Sequence, residues 1–221
     1  MNNTDMTYNK NKGFTLVELI VVLVILAILA AMLIPALLGY IDRAREKQDI
    51  LDARNCLQAT QAELSTLYGK HTKKLEDDES VIPGGKNPVG NNGDVDLTGT
   101  KEAEKILKTA GLTGDREPYC LMIAVGSNYD NSRNGKVSLH DKYTVYYVFY
   151  METKDSDPVY YYNGEWTRKN PRYQNKSIVF NEYNVVLSGP LKDMRLQYYL
   201  LVNHISKGFD STFWNTIKNK P

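Results

Sequence analysis

The segment that decides the fold lies near the N-terminus and reads Gly13-Phe14-Thr15-Leu16-Val17-Glu18-Leu19-Ile20-Val21-Val22. It leads into a stretch, Leu19 to Leu38, that contains no charge and no hydrogen-bonding side chain. At about 1.5 Å of rise per residue, this stretch forms about 30 Å of helix, which is roughly the hydrocarbon thickness of a bilayer. We therefore predict a helix that is able to span a membrane.

The order of the elements around Gly13 differs from that of an ordinary secretory signal. Such a signal places its small-residue cleavage site after the apolar stretch, whereas here Gly13 precedes it. Lys10 and Lys12 stand directly before Gly13. Because basic residues are retained on the cytoplasmic side, we expect a cytoplasmic N-terminus and an exported C-terminal part.

Glu18 is the one carboxylate at the start of the apolar helix. A carboxylate inside a transmembrane helix costs about 2.5 to 3.5 kcal/mol at the bilayer centre and less near the interface, so it requires a partner. Glu18 lies four residues after Phe14, about one helical turn away. If the chain were cut after Gly13, the new amine of Phe14 could pair with Glu18 of its own helix or of a neighbour.

These residues, from Lys10 to about Tyr68, resemble the N-terminal part of type IV pilins and pseudopilins. The resemblance implies that a membrane aspartyl peptidase cuts between Gly13 and Phe14 and that the amine of Phe14 is methylated. It also implies that Glu18 is the assembly carboxylate and that Pro35 is the helix-bending proline of the family. A simple bitopic anchor, in which Glu18 has no such role, is the alternative reading of the same residues.

The resemblance further implies a structural subunit that forms a homo-polymer, a surface filament for adhesion, twitching motility or DNA uptake. Its implied partners are the prepilin peptidase, an assembly ATPase, a polytopic platform protein and the membrane. The precursor would be a single-pass inner-membrane protein with its C-terminus outside, and the assembled form an extracellular pilus. Two alternatives stay open: a pseudopilin of a type II secretion or competence apparatus, and a membrane-anchored binding protein that does not polymerise.

The helix is expected to continue beyond the apolar stretch, because charges arrive between Gly39 and Lys47 without a turn signal. We expect the helix to end at Gly69. The expected organisation is a leader (1–13), a helix (14–69) with its membrane segment (19–38), and a head (70–221). An apolar stripe for packing on the head is formed by Ile50, Ala53, Leu57, Leu64 and Leu67.

Pro35 and Gly39 are the weak points of this helix, since proline lacks an amide donor and clashes with the preceding turn. Local unwinding at Pro35, which would let a filament stretch, and a gentle kink are both compatible with the residues. The resemblance favours unwinding.

The head is predicted to be α+β, with the long helix packed on an antiparallel sheet. Segments rich in Tyr, Val, Phe and Ile predict strands within 119–125, 142–152, 159–166 and 177–187. Asn163-Gly164 is a strong hairpin signal and Asn134-Gly135 a weaker one. A short helix is expected from Thr100 to Ala110, closed by Gly111. An extra C-terminal helix is predicted to begin at Pro190 and end at Gly208, on the spacing of Leu191, Met194, Tyr198, Leu201 and Ile205.

Composition gives no sign of a nucleic-acid partner for the head, because 27 basic and 26 acidic residues leave a net charge of +1. The histidines His71, His140 and His204 lack metal-ligand spacing, and no GxSxG, HExxH or GxxxxGK[ST] motif occurs. We expect no enzyme, no cofactor and no metal. Two oxygen-rich loops, Asn91 to Asp96 and Asn128 to Gly135, lack the closing glutamate of a calcium loop and are expected to be ordinary turns.

Two features of the head remain open at this point. Cys56 and Cys120 could form one disulfide in an exported head or could be separate buried thiols. The 16 tyrosines of the chain include two clusters, in Tyr143 to Tyr150 and in Tyr160 to Tyr162. They could form an adhesive surface or cover the sheet, and we favour the second interpretation.

Overall fold

The structure is a computed structural model that describes residues 13–70, 80–85, 94–127, 138–162, 164–171, 179–181, 184–186 and 195–220. For 179–181, 184–186 and 195 only the backbone is described. The chain divides into two compact units, residues 1–46 and 47–221.

The first unit contains the apolar part of helix α1, which as a whole runs Leu16–Lys70. The predicted long helix is confirmed, and it passes through Pro35 without interruption. Local unwinding at Pro35 is therefore not a feature of this state of the chain. In the part of the chain that the structure describes, α1 is the one helix long and apolar enough to cross a membrane.

The second unit is built around a sheet that has eight strands within the described ranges, ordered β5-β4-β3-β2-β8-β7-β6, with β1 also paired to β8. The strands are β1 (Val95–Asp96), β2 (Cys120–Ser127), β3 (Val145–Met151), β4 (Val159–Tyr162), β5 (Glu165–Thr167), β6 (Val179–Asn181), β7 (Asn184–Val186) and β8 (Arg195–Asn203). Every pairing is antiparallel except that of β1 with β8, which is parallel. The α+β class is confirmed, and the sheet is mixed because of β1.

Successive side chains of a strand point to opposite faces of a sheet, so β2 contributes to two cores. Leu121 and Ile123 join the core that contains the C-terminal part of α1. Met122 joins the core on the other face, together with the C-terminal helix α4 (Ser211–Asn219). The central strands are therefore buried on both faces.

Helix α2 (Lys101–Ala110) forms where its two caps predict it. The Thr100 hydroxyl accepts a hydrogen bond from the Ala103 amide at 3.2 Å, which satisfies one free donor of the first turn. Gly111 closes the helix with φ of 72°, in the left-handed region that glycine adopts at little cost. Both ends of α2 can therefore be predicted from the residues next to them.

The predicted helix from Pro190 to Gly208 is wrong, because Arg195–Asn203 is strand β8 between β2 and β7. Leu196, Tyr198 and Leu200 belong to one core, and Tyr199 and Leu201 belong to the other. A strand buried on both faces is apolar at nearly every position, so residues three and four apart are apolar by necessity. The C-terminal helix lies further on, as α4.

Two strand predictions need their bounds changed. Lys142 ends a short helix, α3 (Leu139–Lys142), before β3 begins at Val145. The segment 177–187 contains the antiparallel pair β6 and β7 rather than one strand.

The hairpin at residues 163 and 164 is confirmed, since Tyr162 pairs with Glu165 and Gly164 has φ of 87°. The weaker hairpin signal, Asn134-Gly135, lies outside the described residues.

Candidate processing and assembly site

The bond between Gly13 and Phe14 precedes the helix, which begins at Leu16. Phe14 is 78% exposed, and no atom beyond the neighbouring residues lies within 4 Å of the place where a Cβ on Gly13 would stand. A peptidase binds its substrate as an extended, accessible chain. The predicted cleavage bond is accessible and lies outside regular secondary structure.

Thr15 and Glu18 form a reciprocal cap on the first turn of α1. The Thr15 hydroxyl accepts from the Glu18 amide at 3.3 Å and donates to Glu18 Oε2 at 2.6 Å. The Thr15 amide donates to the same Oε2 at 2.8 Å. This arrangement is a capping box, and it explains why the helix begins at Leu16. Sequence analysis missed the role of Thr15, although the T-x-x-E spacing before an apolar run indicates it.

The capping box has a consequence for processing. Its bonds use the amide and hydroxyl of Thr15 and the carboxylate of Glu18, so hydrolysis of the Gly13–Phe14 bond breaks none of them. The mature chain would then present a free Phe14 amine beside a carboxylate already held at the helix N-terminus. Glu18 can accept further hydrogen bonds, because a carboxylate has about four lone-pair sites.

The apolar surface of α1 has no cover in the monomer. Its large side chains between Leu19 and Leu38 are all about half or more exposed, from 48% at Val22 to 71% at Met32. A helix that is apolar on every face is stable only when lipid or other protein surrounds it. The segment therefore requires either a membrane or neighbouring protein helices around it, at one time or at different times.

In the second unit, α1 is attached to the head by two pairs of charges. Asp49 and Asp52 are buried, and each accepts a hydrogen bond at 2.8 Å, from Arg168 and Arg116 respectively. Gln48 also donates to Asp52 at 2.9 Å. Buried carboxylates need such partners because their desolvation is costly.

Further along the helix, Gln61 bonds to the backbone at the start of β3. Its Nε2 donates to the Tyr143 carbonyl at 2.7 Å, and its Oε1 accepts from the Val145 amide at 3.1 Å. An ion pair between Glu63 and Lys105 attaches the same part of α1 to α2. No local pattern in the sequence indicates these long-range partners.

The two cysteines are separate thiols. Cys56 lies in the core on the α1 face of the sheet, and Cys120 in the core on the α4 face. Burial raises the pKa of both thiols, so both stay protonated at neutral pH. The sequence left a disulfide and two separate buried thiols as alternatives, and the structure contains the separate thiols.

The tyrosines pack, as the second interpretation expected. Tyr147, Tyr150, Tyr160, Tyr198 and Tyr199 are all fully or almost fully buried, and they are divided between the two cores. They therefore cover the sheet.

Only some of the predicted loops and histidines lie among the described residues. Within the described ranges, no group of three His, Cys, Asp or Glu residues could hold a metal. His140 lies beside Asp141, and His204 beside Glu117 at 3.2 Å. His71, the loop Asn128 to Gly135 and residues 91–93 of the loop Asn91 to Asp96 lie outside the residues that the structure describes.

Comparison with known proteins identifies the N-terminal segment alone. A family model described as a prokaryotic N-terminal methylation motif matches residues 8–34, which include Gly13, Phe14 and Glu18. No curated protein and no solved structure matches the chain.

The chain thus carries an N-terminal methylation signal followed by a long apolar helix. This combination fits a type IV pilin-like prepilin signal. It fits an inner-membrane-anchored precursor and suggests processing by a prepilin peptidase. The match ends within α1, so it describes nothing of the second unit.

Proposed function

We propose that this protein is a structural subunit of a type IV pilus, which polymerises through α1 into a surface filament after cleavage between Gly13 and Phe14. The observation that carries the proposal is an uncovered apolar helix that begins with the Thr15–Glu18 capping box directly behind the cleavage signal. The role is structural rather than enzymatic.

In this proposal, the apolar surface from Leu19 to Leu38 makes contacts in two environments, the membrane and the filament. In the membrane it contacts lipid, and in the filament it contacts the same surface of neighbouring subunits. Because both environments are apolar, transfer between them exposes little of the helix to water. The resemblance assigns this transfer to an assembly ATPase and a platform protein.

Glu18 sets the register between subunits. An apolar helix alone can slide along its neighbour, since every shifted position buries a similar area. A carboxylate among apolar helices is stable only where it meets a positive charge, and the Phe14 amine of another subunit supplies one. Removing one partner of such a pair leaves a buried charge, at a cost of about 3 to 5 kcal/mol.

A pseudopilin is the second candidate, since the methylation motif and the apolar helix support it equally. The two differ in where the polymer is found: a pilus is abundant on the cell surface, whereas a pseudopilus is a short assembly in the envelope. Adhesion, motility and DNA uptake are functions that a pilus would serve.

The test combines mass spectrometry of the N-terminus with electron microscopy of surface filaments. Wild type should begin at N-methylated Phe14 and form filaments. Glu18→Gln should keep the membrane anchor yet lose filaments by at least an order of magnitude, as the loss of the ion pair requires. Asp42→Asn, which removes an exposed carboxylate further along α1, is the matched control and should assemble normally.

A chain that retains residues 1–13 would overturn the proposal. Processed subunits without surface filaments would favour the pseudopilin. Normal filaments of the Glu18→Gln variant would remove Glu18 from assembly.

A further inference from the structure

Among the described residues of the head, one carboxylate, that of Asp94, is buried and has no role in processing or assembly. Asp94 stands directly before β1 and is 9% exposed. Its hydrogen bond is to the backbone of β8, whose Tyr198 amide donates to Asp94 Oδ1 at 3.3 Å. The side chain therefore lies between β1 and the strand that β1 joins.

Strand β1 is held to the sheet by a short ladder. It pairs with β8 over Val95 and Asp96 alone, and the Leu97 amide adds one bond to the Leu200 carbonyl at 2.8 Å. The Asp94 carboxylate extends this ladder by one position, to Tyr198. Val95 and Leu97 bury their side chains in the core on the α1 face. The pairing of β1 with β8 is therefore small, and a negative charge on Asp94 is enough to change its stability.

The described groups around Asp94 do not offset a negative charge on its carboxylate. In the described residues, Asp94 forms no ion pair with a basic side chain. The titratable groups near it are the buried phenol of Tyr198 on β8, with Tyr147 of β3 and Tyr162 of β4 beyond that phenol. Asp96, on β1 itself, accepts bonds from Thr98 instead. Burial raises the pKa of Asp94 to about 7, and the bond from the Tyr198 amide opposes this shift only in part.

We propose that β1 and Asp94 form a pH-sensitive latch on the edge of β8, closed when the carboxyl is protonated and released when it ionises. Release transfers one proton from Asp94 to solvent and moves the carboxylate into water. The proposal concerns the head alone and does not depend on polymerisation.

The direction of the pH effect follows from the two states of the latch. In the closed state Asp94 holds its proton up to about pH 7, whereas in the open state it has an ordinary pKa near 4. Between these values, opening releases a proton. The opening constant therefore rises about tenfold per pH unit from about pH 4 to about pH 7 and is constant above that.

Amide hydrogen exchange of the full chain in detergent micelles tests the latch, with the Leu97 amide as the reporter of the β1 ladder. After correction for intrinsic exchange rates, its protection should fall about a hundredfold between about pH 5 and about pH 8. Wild-type protection that is constant over this range would overturn the proposal.

Two matched variants separate Asp94 from its neighbours. Asp94→Asn keeps an oxygen acceptor for the Tyr198 amide but cannot ionise, so Leu97 should be protected equally at both pH values. Asp96→Asn changes an aspartate of the same strand and should keep the wild-type pH dependence. The reverse result, pH dependence in Asp94→Asn, would show that another group controls the strand.

A direct titration of Asp94 in the wild-type chain tests the proposal even if a variant does not fold. The carboxyl carbon resonance of Asp94 in the wild-type chain should titrate near neutral pH. A midpoint near 4 would overturn the latch without any substitution.

Discussion

At the scale of single residues, Glu18 is bound before any neighbour is present. Its carboxylate accepts two hydrogen bonds from Thr15, so the monomer does not leave a bare charge at the start of an apolar helix. If subunits assemble as proposed, the charged partner meets a carboxylate whose position the bonds from Thr15 already restrict. This reduces the side-chain entropy that the inter-subunit pair would otherwise cost.

The charged pairs that attach α1 to the head differ in burial, and this sets their expected contributions. Arg168 is 26% exposed beside Asp49, whereas Arg116 is 53% exposed beside Asp52. Solvent screens the second pair more strongly. We predict that Arg168→Leu lowers the free energy of unfolding by about 2 to 4 kcal/mol and Arg116→Leu by about 1 kcal/mol.

Chemical denaturation of the two variants measures this order. Double-mutant cycles with Asp49→Asn and Asp52→Asn isolate the pair energies from other losses, such as the bond from Arg168 to the Asp157 carbonyl. Equal coupling energies, or a larger one for the Arg116 pair, would contradict the role assigned to burial.

At the scale of elements, the sequence predicted those helices and turns correctly whose formation is determined by their own residues. Helix α2 has both caps in its sequence, the β4–β5 hairpin has Asn163-Gly164, and the apolar part of α1 has an uninterrupted run. Strand β8 was missed because burial on both faces removes the alternation of apolar and polar residues that marks a strand.

Within the site, Gly13, Phe14 and Glu18 could be named in advance because their order is local. The arginine partners of Asp49 and Asp52 and the backbone partners of Gln61 could not, since they are more than 60 residues away in sequence.

One buried side chain from outside helix α4 donates hydrogen bonds at its C-terminal end. Asn170, which is 2% exposed, donates through Nδ2 to the Ile217 carbonyl at 3.1 Å and to the Lys220 carbonyl at 3.2 Å. Helix C-termini leave carbonyls without partners, and here one amide satisfies two of them. We predict that Asn170→Ala lowers the free energy of unfolding by about 1 to 3 kcal/mol.

Fluorescence of Trp214, in a Trp166→Phe background, reports on α4 during denaturation because Trp214 packs on Tyr198. Asn215→Ala, at an exposed position of the same helix, is the control and should change stability by less than about 0.5 kcal/mol. If both variants behaved alike, the cap from Asn170 would not stabilise the helix.

At the scale of the whole molecule, the proposed function requires the same sequence to be stable as a stored monomer and as part of a polymer. The second unit, which includes the C-terminal part of α1, contains both cores, so its stability does not require the apolar half of α1. That half is free to change its surroundings without unfolding the head. This separation is what a subunit needs if it moves from membrane to filament.

The buried native thiols make polymerisation directly testable by cross-linking. Cys56 and Cys120 are both fully buried with raised pKa values, so neither should react in the folded chain. A pair of cysteines introduced on the exposed apolar part of α1, at Val21 and Leu38, adds the only accessible thiols of the described chain. Oxidation in cells should give a ladder of dimers and higher oligomers if α1 helices pack against one another.

The same cysteine pair in the Glu18→Gln background should give a weaker ladder, since the register-setting charge is lost. Chains without introduced cysteines should give none. A monomeric anchor would produce at most a trace of dimer from random collisions, whatever residue occupies position 18. The dependence of the ladder on Glu18 therefore distinguishes ordered assembly, which needs the ion pair, from helices that merely share a membrane.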